Sequence, residues 1–204
     1  MRIGILVFDD VEVLDAFGPF EVFSVAGRVV ARTGPDGGAV GAAPEVVLVA
    51  AGEPGLVRAR GGLQLQVDMG LAEAPTLDLL LVPGGVTDAV EQDRAVVAWV
   101  AARARVTPYV ASVCTGAFVL AAAGVITDQR VTTHWDDVAA LRERWPALDV
   151  VDGVRWVHGH TPWGELWTSA GISAGIDLAL HLVEVLLDRD TALATARLMD
   201  YAWS

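Results

Sequence analysis

The chain has no lysine and only one cysteine, Cys114, among its 204 residues. A lone cysteine excludes an internal disulfide and any zinc site built on cysteine ligands. Two uses remain for it, a small buried hydrophobe or a nucleophile. Positive charge is scarce as well. All 14 basic residues are arginine, set against 26 acidic ones, for a formal net charge of −12. A chain this acidic repels phosphate backbones, so nucleic acid is not an expected partner. Long apolar runs are also missing. The hydrophobic fraction is 53% and the mean hydropathy +0.47, high enough to raise the question of a membrane. The most apolar stretches are 77–82 and 110–126, and Ser112, Thr115, Gly116 and Gly124 interrupt the second. Neither makes an unbroken apolar run of about 20 residues, the length of a spanning helix. No signal peptide is read, because Met1-Arg2 leads straight into an apolar strand that meets Asp9-Asp10. The expectation is a cytoplasmic protein, without membrane contact, whose apolar residues are buried.

The hydrophobic pattern alternates between strand and helix. Residues 3–8 form a continuous apolar run of strand type, and 14–26 carry Leu14, Phe17, Val22, Val25 and Ala26 at helical spacing. Residues 34–38 read as a loop and 46–50 as a second strand; 56–59 and 63–67 flank Arg60-Gly61-Gly62 as a hairpin. A buried strand at 77–82 ends at Pro83-Gly84-Gly85, and a helix at 93–105 precedes a strand at 109–113. Helix 115–123 has Gly124 suited to its C-terminal cap, and Asp136 is placed to cap a helix over 136–145. Segments 155–158 and 166–168 pair across a turn with Pro162 and Gly164; a buried helix spans 174–187; Asp190 is placed to cap a last helix over 191–199. This predicts one α/β domain over 1–204, a doubly wound, mostly parallel sheet with helices on both faces and a small hairpin. Such sheets bind ligands beyond the carboxyl ends of their strands, here after Phe8, Val82 and Val113.

Chemistry-bearing residues stand at those three places. Strand 109–113 runs into Cys114-Thr115-Gly116 and then a helix, the arrangement of a nucleophile elbow. The helix N-terminus there favours thiolate, and its free N–H groups suit a developing anion. Gly116 lacks a side chain that would keep a substrate from the backbone, and Gly84 and Gly85 leave N–H groups free to face a ligand. Asp15 follows the first strand, where its carboxylate suits proton transfer with a thiol or a helix cap. Pro-Gly-Gly taken alone is an ordinary turn.

Taken in order, Leu14-Asp15-Ala16-Phe17-Gly18-Pro19, Val82-Pro83-Gly84-Gly85, Ser112-Val113-Cys114-Thr115-Gly116, Thr132-Thr133-His134-Trp135 and the run from Ser169 to Asp177 resemble the DJ-1/PfpI superfamily. The resemblance covers essentially the whole chain. It points to the branch that holds isocyanide hydratase and the amidotransferase-like domains of AraC-type regulators. It implies a flavodoxin-like fold, usually a homodimer, and a small-molecule substrate handled without metal or organic cofactor. By resemblance to the hydratase, Cys114 is the nucleophile and Asp15 its acid/base partner, with Thr115 and Gly85 in the anion-binding pocket. Phe17 replaces a small polar residue of the hydratase, which implies a tighter pocket. The residue after Cys114 is not His, unlike the peptidase-like branch, and no basic segment follows the last helix, so a DNA-reading regulator is not expected. Another cysteine hydrolase, a glyoxalase-like enzyme, or a small-molecule or redox sensor stay open beside the hydratase.

His134 can line the pocket or act as a structural histidine beside Trp135. His158-Gly159-His160 suggests metal but lacks a third clustered ligand, and a surface hairpin is the simpler reading, so no metal site is expected. His181 reads as a satisfied core histidine, Glu21 as a solvated residue or the partner of an arginine, and Trp156, Trp163 and Trp167 as an exposed apolar patch on the hairpin.

Overall fold

The computed structural model describes residues 1–33 and 42–203; the loop expected at 34–38 lies outside the described residues. In chain order, strand β1 (Arg2–Val7) leads into helix α1 (Val13–Thr33), then strand β2 (Glu45–Ala50) and a hairpin of β3 (Gly55–Arg58) and β4 (Gln64–Val67). Strand β5 (Leu79–Val82) precedes helices α2 (Asp88–Gln92) and α3 (Arg94–Ala104). Strand β6 (Tyr109–Val113) is followed by helix α4 (Gly116–Ala122), a short strand β7 (Arg130–Val131), helix α5 (Val138–Arg144) and its pairing strand β8 (Asp149–Val150). The hairpin β9 (Trp156–Thr161) and β10 (Gly164–Ser169) then precedes helices α6 (Ala174–Leu186) and α7 (Arg189–Leu198).

The main sheet has the order β2-β1-β5-β6-β10-β9. All its pairs are parallel except β9 against β10. Counting only the parallel strands, this is the flavodoxin-like order 2-1-3-4-5, whose switch point lies between the first and third strands. The helices divide into α1 packed on α6 and α7, and α2 and α4 packed with each other and α3. The uninterrupted apolar character of β5, whose four residues are all buried, follows from this cover on both faces. Asp15, Gly84 and Cys114 come just beyond the carboxyl ends of three adjacent strands, β1, β5 and β6, and so meet at the switch point.

Several ends differ from expectation. Asp93, expected inside the helix, caps α3 instead, accepting from the N–H groups of Ala95 (2.8 Å) and Val96 (3.3 Å). Gly124 takes φ +64 just past α4, a left-handed turn that suits glycine. Asp136 caps nothing: it lies inside a single 3₁₀ turn, Trp135–Asp137, and α5 begins afterwards without a side-chain cap. Asp188, not Asp190, caps α7, because its extended backbone lets the carboxylate reach Thr191 N–H (2.7 Å) and its hydroxyl (2.9 Å). The two-residue strands β7 and β8 are too short to show a periodicity.

Candidate active site

Cys114 occupies the turn between β6 and α4 with φ +56. This left-handed conformation is costly for a residue with a side chain, of order 1–3 kcal/mol, and persists only where neighbours hold it. Here they do. The Cys114 N–H donates to the Ser169 carbonyl at the end of β10 (3.1 Å). The buried Thr133 hydroxyl donates to the Cys114 carbonyl (2.8 Å). Thr132 anchors that segment in turn, its N–H donating to Thr168 Oγ1 (2.8 Å) and its hydroxyl to the Val151 carbonyl (2.9 Å). The Thr132-Thr133 pair thus shapes the turn that aims the sulfur.

Asp15 sits in the first turn of α1, fully buried. Its Oδ1 accepts from the Ile172 N–H (3.1 Å), and Ile172 itself has φ +56, a second left-handed residue held so that its N–H meets this carboxylate. Oδ2 is buried and makes no hydrogen bond of good geometry, although the Cys114 thiol and the Gly84 N–H lie near enough to the carboxylate to lower its pKa. Pro19, four residues on within α1, has no N–H to give the Asp15 carbonyl.

Burial pushes the Asp15 carboxyl up to about 6, helped by the negative charge of Glu12 and opposed by the Cys114 thiol and the N–H groups of Ile172 and Gly84. Burial also pushes the Cys114 thiol up to about 12; the Asp15 charge adds to this, while the Thr115 N–H opposes it. The expected low-pKa thiolate is therefore not what the geometry favours. Cys114 is 7% exposed, and α4 has only seven residues, so its N-terminal charge is outweighed by desolvation and the adjacent carboxylate. Near neutral pH the pair holds its proton on sulfur and its negative charge on Asp15.

The glycines act differently from the open-backbone expectation. A Cβ on Gly116 would stand 2.0 Å from the Val82 carbonyl oxygen, so this glycine lets α4 start against the end of β5 rather than admitting a substrate. A Cβ on Gly84 would meet Thr115 Oγ1 at 2.5 Å, Thr115 N at 2.6 Å and Asp15 Oδ2 at 2.9 Å; its absence lets these groups converge. Gly85 has φ +141 and bridges to Val11. Its N–H is not free, as it donates to Thr115 Oγ1 (2.9 Å), whose hydroxyl donates back to the Gly85 carbonyl (3.0 Å). The Thr115 N–H is the backbone donor that faces the sulfur.

A cavity of about 370 Å³ opens beside the sulfur, lined by Gly85, Cys114, Thr115, His134 and Ile172 with Glu12, Arg60, Asp136 and Asp137. A second of about 320 Å³ shares Gly85, Thr115 and Asp137 with it and extends to Arg144. His134 lines the first cavity, and its ring lies 5.5 Å from Trp135, with Nδ1 3.3 Å from the Asp137 carboxylate. Phe17 is not in the lining. Two residues on from Asp15, it points about 200° away around the helix and packs on Phe20 at 6.2 Å between ring centres. Glu21 pairs with Arg28 (2.9 Å). Sequence reasoning missed Glu12, Arg60, Asp137 and the wall role of Ile172. Arg60 comes from the loop of the small hairpin and reaches Glu12 (3.4 Å), a contact no local pattern contains.

The DJ-1/PfpI family model matches residues 1–185. The chain belongs to the DJ-1/PfpI family. Among members of this family and their relatives, an isonitrile hydratase of Pseudomonas putida is 32% identical over 204 residues, 99% of this chain and 79% of that protein. The HTH-type transcriptional regulator GbdR of Pseudomonas aeruginosa is 30% identical over 145 residues, 71% of this chain and 38% of the regulator. A ThiJ/PfpI protein of Pseudomonas syringae superposes with a TM-score of 0.83 at 26% identity, over 100% of this chain and 76% of that one. The DJ-1/PfpI chain described here has no helix, among the described residues, long and apolar enough to cross a membrane.

Proposed function

We propose that this protein hydrates an isonitrile to an N-substituted formamide, with Cys114 as nucleophile and Asp15 as proton carrier. The observation that carries the reading is the buried Cys114–Asp15 pair at the switch point, in a chain 32% identical to an isonitrile hydratase along nearly its whole length. Asp15, ionised above about pH 6, draws the thiol proton as sulfur attacks the terminal isonitrile carbon, and delivers that proton to the same carbon. A thioimidate results. Asp15 then takes a proton from water as the water adds to this carbon, and passes it to nitrogen. Cleavage of the C–S bond, with the hydroxyl proton returning to sulfur, releases the formamide and restores the thiol. One isonitrile and one water are consumed. The Thr115 N–H is positioned to offset negative charge at the sulfur, while the Thr115 hydroxyl holds Gly85. The buried Oδ2 of Asp15, which makes no hydrogen bond of good geometry, is the atom poised to move the proton.

The protein is further proposed to work in the cytoplasm, as the sequence pattern suggests, and as a homodimer, as the family resemblance implies. A second reading, a small-molecule sensor, is favoured by the segment shared with the regulator GbdR. The buried, high-pKa thiol speaks against the redox form of that reading. The test is incubation of the protein and its Cys114→Ala variant with alkyl and aryl isonitriles, with formamide followed by mass spectrometry. Formamide that depends on Cys114 is the expected result. Isonitrile binding without any formamide would replace the hydratase with the sensor.

A further inference from the structure

We propose that His158, His160 and Glu165 form a binding site for a divalent late first-row transition metal, such as zinc, on the β9–β10 hairpin. Side chains two apart on a strand share a face, so His158 and His160 project together from β9. The antiparallel register sets Glu165 opposite His160 and Trp167 opposite His158. Glu165 is the third ligand that the His-Gly-His sequence lacks when read alone. One donor atom from each of the three residues lies within 4.8 Å of the others. The two oxygens of Glu165 face separate imidazoles: Oε2 is 2.6 Å from His158 Nε2 and Oε1 is 3.2 Å from His160 Nδ1.

A divalent cation is held by two imidazole nitrogens and one carboxylate, and the rings of His158 and His160 lie 5.1 Å apart, centre to centre. Two nitrogens and one carboxylate suit zinc, copper or nickel, not magnesium or calcium, which take all-oxygen shells. Bonds of about 2.0–2.2 Å to zinc need donors some 3.3 Å apart in a tetrahedral arrangement, so donors set within 4.8 Å of one another must close by up to about 1.5 Å, and the 2.6 Å contact between His158 and Glu165 must open. His160, 68% exposed at its side chain, has the room to do so. His158 is already braced, its ring stacked 4.5 Å from that of the buried Trp167. Three protein ligands leave a fourth position for water or an exogenous donor. The site is separate from the cavity at Cys114: Glu165 pairs with Tyr109 at the start of β6, five residues or about 16 Å along the strand direction from Cys114.

The test is equilibrium dialysis of zinc against the untagged, metal-stripped full chain carrying Cys114→Ala, which removes the thiol as a competing ligand. The expected result is one zinc per chain with micromolar affinity, retained in excess magnesium. His160→Ala and Glu165→Gln should each weaken binding about tenfold or more, and His158→Ala with His160→Ala should abolish it. His160→Ala leaves the Trp167 stack intact, so its effect is not one of folding. No retained zinc, displacement by magnesium, or affinity unchanged in His160→Ala would each overturn the proposal.

Discussion

Asp15→Asn should make the protein more stable at neutral pH while removing its proposed proton carrier. Burial is the chief cause that raises the Asp15 carboxyl from 3.8 to about 6. A carboxyl raised on folding contributes stability that is fully present below its unfolded pKa and lost as pH rises through its folded pKa. In this case the window runs from about 4 to about 6. Above it, holding Asp15 ionised inside the fold costs about 3 kcal/mol relative to the protonated form, at about 1.4 kcal/mol per pKa unit. Asparagine keeps the oxygen that accepts from the Ile172 N–H and carries no charge to desolvate. Equilibrium unfolding in urea from pH 4 to pH 8 measures the difference. Relative to the wild type, the variant should gain up to about 3 kcal/mol at pH 8, worth roughly 6–12 °C in Tm for a chain of this size, and the gain should shrink toward pH 4. A difference between the two that does not change with pH would refute the charge-burial reasoning.

Two further outcomes follow from the same geometry. Cys114 should react with iodoacetamide more slowly at pH 7 than an unperturbed thiol of pKa about 8.5, with no plateau below pH 10, because its thiol is pushed up to about 12; a plateau near neutral pH by mass spectrometry would contradict this. Gly116→Ala should destabilise by about 3 kcal/mol, the upper range for overpacking, because its Cβ would stand 2.0 Å from the Val82 carbonyl oxygen; denaturant melts that match the wild type would show that α4 shifts freely.

Local pattern carried the fold far. The strand predicted at 109–113 is β6 to the residue, and the turn after it holds Cys114 with positive φ, because strand and helix periods change abruptly there. The placement of Asp15, Gly84 and Cys114 beyond neighbouring strands was legible for the same reason: α/β alternation dictates which strand ends share an edge. Balances of opposing effects were not legible. A helix N-terminus and a buried carboxylate push the thiol in opposite directions, and only the depth of Cys114 and its short helix show which wins. Gly85 and Gly116 read in the sequence as openings for a ligand, but the space beside them is taken by the backbone of this chain, at Asp10 to Glu12 and at Val82. Arg60 and Asp137 reach the cavity by tertiary approach of loops, and Glu165 completes the histidine cluster across a strand register.

The most direct test of the central claim, that the Asp15 carboxylate takes the proton of a buried Cys114 thiol, is the pH dependence of kcat/KM for formamide formation from an isonitrile. The account predicts a rate that rises with pH through about 6, as Asp15 ionises, and loss of that rise in Asp15→Asn. A wild-type rate that is flat from pH 5 to pH 8, or one that climbs only as a free thiol ionises near pH 8.5, would contradict it.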